Sequence, residues 1–158
     1  MRLTAAVDGQ VEMGDLMALL AGTVTLQSDA GLNLAAIGFG RSAIAAMLVP
    51  QDGPREHWTV NACGVGVQLV NKATGKLLGV PAARFGAVVM TLPSGTGKTI
   101  WTAVPSGDGV ILQLAGHDLR IEVEEPLMNP PQFLIATTVQ EGASCGTCWG
   151  VQPVALRV

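Results

Sequence analysis

Short alternating runs recur along this chain. Val24-Thr25-Leu26-Gln27, Val67-Gln68-Leu69-Val70 and Val110-Ile111-Leu112-Gln113 each set apolar residues two positions apart. That is the period of a strand with one buried face. The runs are also copies: Val24, Val67 and Val110 lie 43 residues apart, as do Leu26, Leu69 and Leu112, then Ile37, Val80 and Val123, then Met47, Met90 and Phe133. Read this way, no gap is needed from Gly22 to about Thr137.

Pro50 and Pro93 keep the interval, as do Arg41 and Arg84, whereas Trp58, Trp101 and Trp149 are separated by 43 and then 48 residues. The third copy therefore carries five extra residues between Phe133 and Trp149, around EGASCGTC. Each copy offers about four short strands, divided by turn-forming stretches such as Asn71 to Gly75 and Ser106 to Gly109. A helical pattern is confined to Met13, Leu16, Met17 and Leu20. Residues 1–21 are read as an extension outside the repeat, and the copies as about 22–64, 65–107 and 108–158.

None of these units buries its own apolar face, so the three must close on one another to remove their strand edges. The expected class is all-β: three pseudo-symmetric four-strand repeats closing a barrel with a hairpin cap. The segments WTVNACGVGVQL at 58–69 and WTAVPSGDGVIL at 101–112, NKATGKLLGV at 71–80, and a tryptophan that is tenth from the chain end resemble the β-trefoil family. The similarity extends to its ricin-B-like lectin and fungal protease-inhibitor branches and covers roughly residues 22–158.

The repeat also disposes of a nucleotide-binding reading of Gly97-Lys98-Thr99. A phosphate-binding loop needs glycine where this chain has Leu92, and it must lead into a helix. GTGKT leads into the strand of Trp101 instead, so a hairpin loop is expected.

Composition narrows the partners. A net charge of −3, with nine Lys and Arg scattered singly, supplies no footprint for nucleic acid. Mean hydropathy is +0.43, yet no uninterrupted apolar run reaches the roughly 18 residues of a membrane-spanning helix. The expectation is a soluble protein with an apolar surface, able to self-associate. Asp8 and Glu12 interrupt any secretory leader, which makes a cytoplasmic place the default. Cys63, Cys145 and Cys148 are too few for a disulfide framework; CGTC reads as two small loop residues or a local disulfide. No metal or cofactor is expected. His57 and His117 accompany no nucleophile, so no catalytic residue is assigned and no enzymatic activity is expected.

The resemblance implies a recognition module. Ricin-B-like lectins hold a sugar with an acid after the second strand of a copy, an aromatic ring, and amides just before the tryptophan. On this chain the acid falls at Ala36, Gly79 and Glu122, so one copy in three keeps a carboxylate. The pairs before the tryptophans, Arg55 and Glu56, Lys98 and Thr99, Gly146 and Thr147, hold no amide. The carbohydrate-binding candidates are Glu122, Glu124, Asn129 and Gln132, with Glu125 beside them, on EVEEPLMNPPQ. The tryptophans and Phe133 are read as core.

The alternative is a protease inhibitor presenting Arg55 or Lys98 from equivalent loops, or a protein-interaction and assembly module. The expected partner is thus a glycan or a target protein, with a homo-oligomer as a further expectation.

Overall fold

A computed structural model describes residues 22–28, 31–37, 44–49, 53–64, 66–107, 109–123, 134–138 and 148–154. Copy one supplies β1 (Gly22–Gln27), β2 (Asn33–Ile37), β3 (Ile44–Val49) and β4 (Trp58–Cys63). Copy two supplies β5 (Gly66–Asn71), β6 (Leu77–Gly79), the pair β7 (Ala87–Val88) and β8 (Met90–Leu92), and β9 (Trp101–Ser106). Copy three supplies β10 (Gly109–Leu114), β11 (Leu119–Val123), β12 (Leu134–Thr138) and β13 (Gly150–Pro153). Residues 1–21 lie outside the described residues. Among the described residues no helix is long and apolar enough to cross a membrane.

Six strands form a ring. β1 pairs with β4, β4 with β5, β5 with β9 and β9 with β10; Val110 bridges Trp149 at the head of β13, and β13 pairs with β1 again. Three hairpins, β2–β3, β6–β8 and β11–β12, lie over one end, and β3 pairs with β8 and β7 with β12 between copies. This is the β-trefoil, as the repeat predicts.

Each copy is closed on itself at an equivalent crossing, Val24 with Trp58, Val67 with Trp101 and Val110 with Trp149, and neighbouring copies are joined by the pairings of β4 with β5, β9 with β10 and β13 with β1. All six residues are fully buried. Each indole removes roughly 150–250 Å² from water, so roughly 4–6 kcal/mol of hydrophobic stabilisation stands at each crossing before ordering costs. At two crossings the backbones meet so closely that only glycine fits. A Cβ on Gly66 would collide with the Trp101 carbonyl, and one on Gly109 with the Trp149 carbonyl.

The alternation puts Leu26, Leu69, Leu112, Leu34, Leu78 and Ile121 into the same core. Most of the apolar excess is consumed there. Among the residues whose burial is described, the large hydrophobics left exposed are Phe85 and Val88, which lie three residues apart.

Register corrects the gap-free period in two places. Asn33, Leu77 and Arg120 pair with Gln27, Val70 and Gln113, which makes Ala35, not Ala36, the equivalent of Gly79 and Glu122. The turn after β1 is one residue shorter than its counterpart, and the small apolar run Leu34-Ala35-Ala36 reads the same in either frame. Likewise Ala35, Gly79 and Glu122 pair with Met47, Met90 and Ile135, so Ile135 and not Phe133 is the third equivalent. Glu122 and Ile135 are 13 positions apart against 11 for Gly79 and Met90, and Ile135 and Trp149 are 14 apart against 11 for Met90 and Trp101. The extra length of copy three is thus divided between two loops.

The symmetry fails at one hydrogen bond. Trp58 Nε1 donates to the Leu34 carbonyl and Trp101 Nε1 to the Leu78 carbonyl, both at 2.9 Å. The equivalent acceptor in copy three is Ile121, yet buried Trp149 Nε1 has no partner. A Trp-to-Phe change therefore orphans a buried carbonyl in copies one and two but removes an orphan in copy three. Trp58→Phe and Trp101→Phe are expected to cost about 1–2 kcal/mol more than Trp149→Phe. Urea midpoints measure this, and equal losses would show that the Trp149 N–H is satisfied.

Candidate functional site

Three equivalent positions sit on the second strand of each copy, one residue beyond the Leu34, Leu78 or Ile121 carbonyl. In copy one it is Ala35, fully buried. The preceding loop of β4 folds back on this strand: Pro54–Glu56 forms a 3-10 turn, and Arg55 Nη1 donates to the Ala36 carbonyl at 3.1 Å. The turn is tied to copy two by Asn71, whose Nδ2 donates to the Arg55 carbonyl at 2.8 Å, while the Lys72 N–H donates to the His57 carbonyl at 2.9 Å. Glu56 is buried within it.

Copy two is closed by main chain. Lys98 and Val80 exchange both backbone hydrogen bonds, at 2.8 and 3.0 Å, which carries the Lys98 carbonyl over Gly79. A side chain at Gly79 would collide with that carbonyl and approach Thr99 Cγ2 within 2.8 Å. No carboxylate fits there. The Lys98 side chain is exposed, and Thr99 is buried with its hydroxyl accepting from Gln68 Nε2 at 3.0 Å. The loop joins β8 to β9, which pair with other strands and not with each other, so it is not the hairpin loop expected. Its turn is made by Thr96, which donates to the Pro93 carbonyl through its N–H and its hydroxyl, and by Gly97 at φ +60.

Copy three keeps a carboxylate at this position. Ile121 on β11 is buried while Arg120 and Glu122 on either side are half-buried, so the two polar residues share the outer face. Arg120 Nε donates to Gln113 Oε1 at 3.0 Å, and Gln113 Nε2 donates to the His117 carbonyl at 3.1 Å. Gln113, Arg120 and Glu122 thus form a strip with acceptors and donors side by side. Glu124, Glu125, Asn129, Gln132 and Cys145 lie outside the described residues.

The other chemistry-bearing residues are dispersed. Cys63 ends β4 and Cys148 precedes Trp149; both are free thiols, and Cys148 Sγ donates to the Ser106 carbonyl at 3.1 Å. His117 is exposed in the turn after β10. Among the described residues no group of three His, Cys, Asp or Glu is placed to hold a metal ion.

One surface residue was passed over in the sequence. Phe85 is 70% exposed, and Val88, three residues on, is 41% exposed. The signal was present in Arg84-Phe85-Gly86, an aromatic residue followed by a turn glycine and outside the alternating pattern.

No protein-family model matches the chain, and no curated protein does. Solved structures do. A designed three-fold symmetric protein, ThreeFoil, superposes with a TM-score of 0.71 at 20% identity, covering 84% of this chain and 99% of that one. The ricin B-like lectin of Macrolepiota procera, solved in complex with lactose, gives 0.69 at 15% identity, covering 85% and 97%. The Rhizoctonia solani agglutinin gives 0.68 at 20% identity, covering 85% and 96%. At these identities the likeness establishes the β-trefoil fold and carries no function with it.

Asn71 is the clasp of the copy-one loop. Its Oδ1 accepts from the N–H groups of Ala73 and Thr74 and from the Thr74 hydroxyl, at 3.1–3.2 Å, and its side chain is fully buried. Asn71→Ala is expected to cost about 2–3 kcal/mol, since several buried groups lose partners at once. Chemical denaturation checks the loss, and a change under 1 kcal/mol would mean that water replaces the amide.

Proposed function

We propose that the protein is a non-enzymatic, lectin-like recognition module whose working site is in the third copy, with Glu122 as the anchor for a sugar. One observation carries the reading: of three equivalent positions, Glu122 alone holds a carboxylate, and it stands on the outer face where Ala35 is buried and Gly79 is roofed by the Lys98 carbonyl. A carboxylate accepts charge-assisted hydrogen bonds from adjacent hydroxyls, and neighbouring Arg120 and Gln113 offer donors to ring or linkage oxygens. The lectins among the similar structures support the chemistry as a precedent on this fold.

Glu124, Asn129 and Gln132 follow Glu122 in sequence and belong to the same proposed site. The inhibitor reading has less support at Arg55, whose guanidinium is bonded to its own copy and whose backbone is coiled in a 3-10 turn. Lys98 has both backbone groups committed to Val80, which leaves no extended strand to offer a protease.

A glycan array with the parent protein and Glu122→Gln tests the proposal. Loss of charge-assisted bonds predicts at least tenfold weaker retention by the variant. Arg55→Ala and Lys98→Ala are expected to bind as the parent does. An array blank for the parent would overturn the reading, and a protease panel with Lys98→Ala as control would come next.

A further inference from the structure

Pairing across the copy boundary places copy two beside the Glu122 strip. Glu122 pairs with Ile135, and Ile135 pairs with Val88, so the three form one row across β11, β12 and β7. Ala87 and Val89 are buried on either side of Val88, as Ile121 is beside Glu122. Val88 and Glu122 therefore share the outer face, two strand spacings or about 10 Å apart.

Phe85 lies off that row, three residues before Val88 along the chain. Because β7 and β11 are each antiparallel to β12, stepping back from Val88 towards Phe85 runs along the direction from Glu122 to Arg120. The ring is thus carried on the Arg120 side of the strip. Its turn is braced: the Ala87 N–H donates to the Arg84 carbonyl at 3.2 Å, the Arg84 N–H to the Ala82 carbonyl at 3.0 Å, and Gly86 takes the φ of +79 that the third turn position requires.

Leaving a phenylalanine in water forgoes about 1.5–3 kcal/mol of burial. Among the residues whose burial is described, Phe85 and Val88 are the two large hydrophobics so exposed, and both belong to this one turn and strand. The described polar strip of copy three contains no aromatic residue of its own.

We propose that the binding site is composite, with Phe85 of copy two supplying the stacking ring for a glycan that Glu122 of copy three anchors. The proposal rests on the reading of Glu122 as a sugar anchor and extends it to a ligand class. A single pyranose on Glu122 does not reach a ring two strands away, so the ligand is an oligosaccharide of two or more rings. The ring lying on Phe85 presents an apolar face, as galactose does, because an aromatic surface is matched by C–H groups and not by hydroxyls. A preset turn gives this contact little ordering cost.

Four proteins on one glycan array test it: the parent, Glu122→Gln, Phe85→Ala and Phe85→Trp, with free galactose and lactose as competitors. Glu122→Gln is expected to lose retention on all glycans. Phe85→Ala is expected to bind glycans of two or more rings at least fivefold more weakly, with competition by galactose unchanged and competition by lactose weakened. Phe85→Trp restores both. Phe85 is on the surface, so melting temperatures of its variants are expected to match the parent. If Phe85→Ala binds every glycan as the parent does while Glu122→Gln fails, the composite site is wrong and the anchor stands. If the parent binds no glycan, both are wrong.

Discussion

Barrel closure at the three tryptophans is the constraint on which the rest depends. A four-strand unit of this size has no second layer against which to bury its face, and each unit ends in unpaired strand edges. The crossings of Val24 with Trp58, Val67 with Trp101 and Val110 with Trp149 close each unit and bury an indole, and the pairings of β4 with β5, β9 with β10 and β13 with β1 then cover the edges between units. Glycine at 66 and 109 follows from that closeness, because the strand must pass over the tryptophan carbonyl. The core leucines then fall into place by alternation.

What closure leaves undetermined is the set of loops, and the copies differ there. Copy one draws its loop down with Arg55 on the Ala36 carbonyl and Asn71 on the Arg55 carbonyl. Copy two does so with the two backbone bonds between Val80 and Lys98. In both, the position equivalent to Glu122 is covered by the protein itself. Copy three departs in loop length on both sides of β12 and leaves the Trp149 N–H without its acceptor. A buried orphan donor is a local cost of about 1–3 kcal/mol. Such costs gather where function overrides packing, and this one lies under the copy that retains its carboxylate.

The sequence carried the period because core positions tolerate little: valine, leucine and tryptophan recur wherever the barrel demands them. The same logic explains the errors of register. Leu34-Ala35-Ala36 is apolar throughout, so a one-residue shift in the turn before it left no mark, and Phe133 and Ile135 were equally acceptable as core. Glu122 was legible as the one acid among three copies. The closed state of the other two copies was not, since it arises from a guanidinium meeting a carbonyl 19 residues away and from a backbone bridge between Val80 and Lys98.

Phe85 illustrates a different limit. Reading by repeat compares a residue with its own counterparts in the other copies, whereas a closed three-fold body sets the loops of one copy against the strands of the next. The pairing of Val88 with Ile135 spans 47 positions and joins two copies, so no alignment of copy on copy places it near Glu122. Surfaces built across such boundaries are free of the symmetry that fixes the core, since each is formed once from two different loops. A trefoil with degenerate copies thereby gains sites that its repeat does not contain. An exposed aromatic ring leading into the strand that pairs with the neighbour of Glu122's strand is what that route produces.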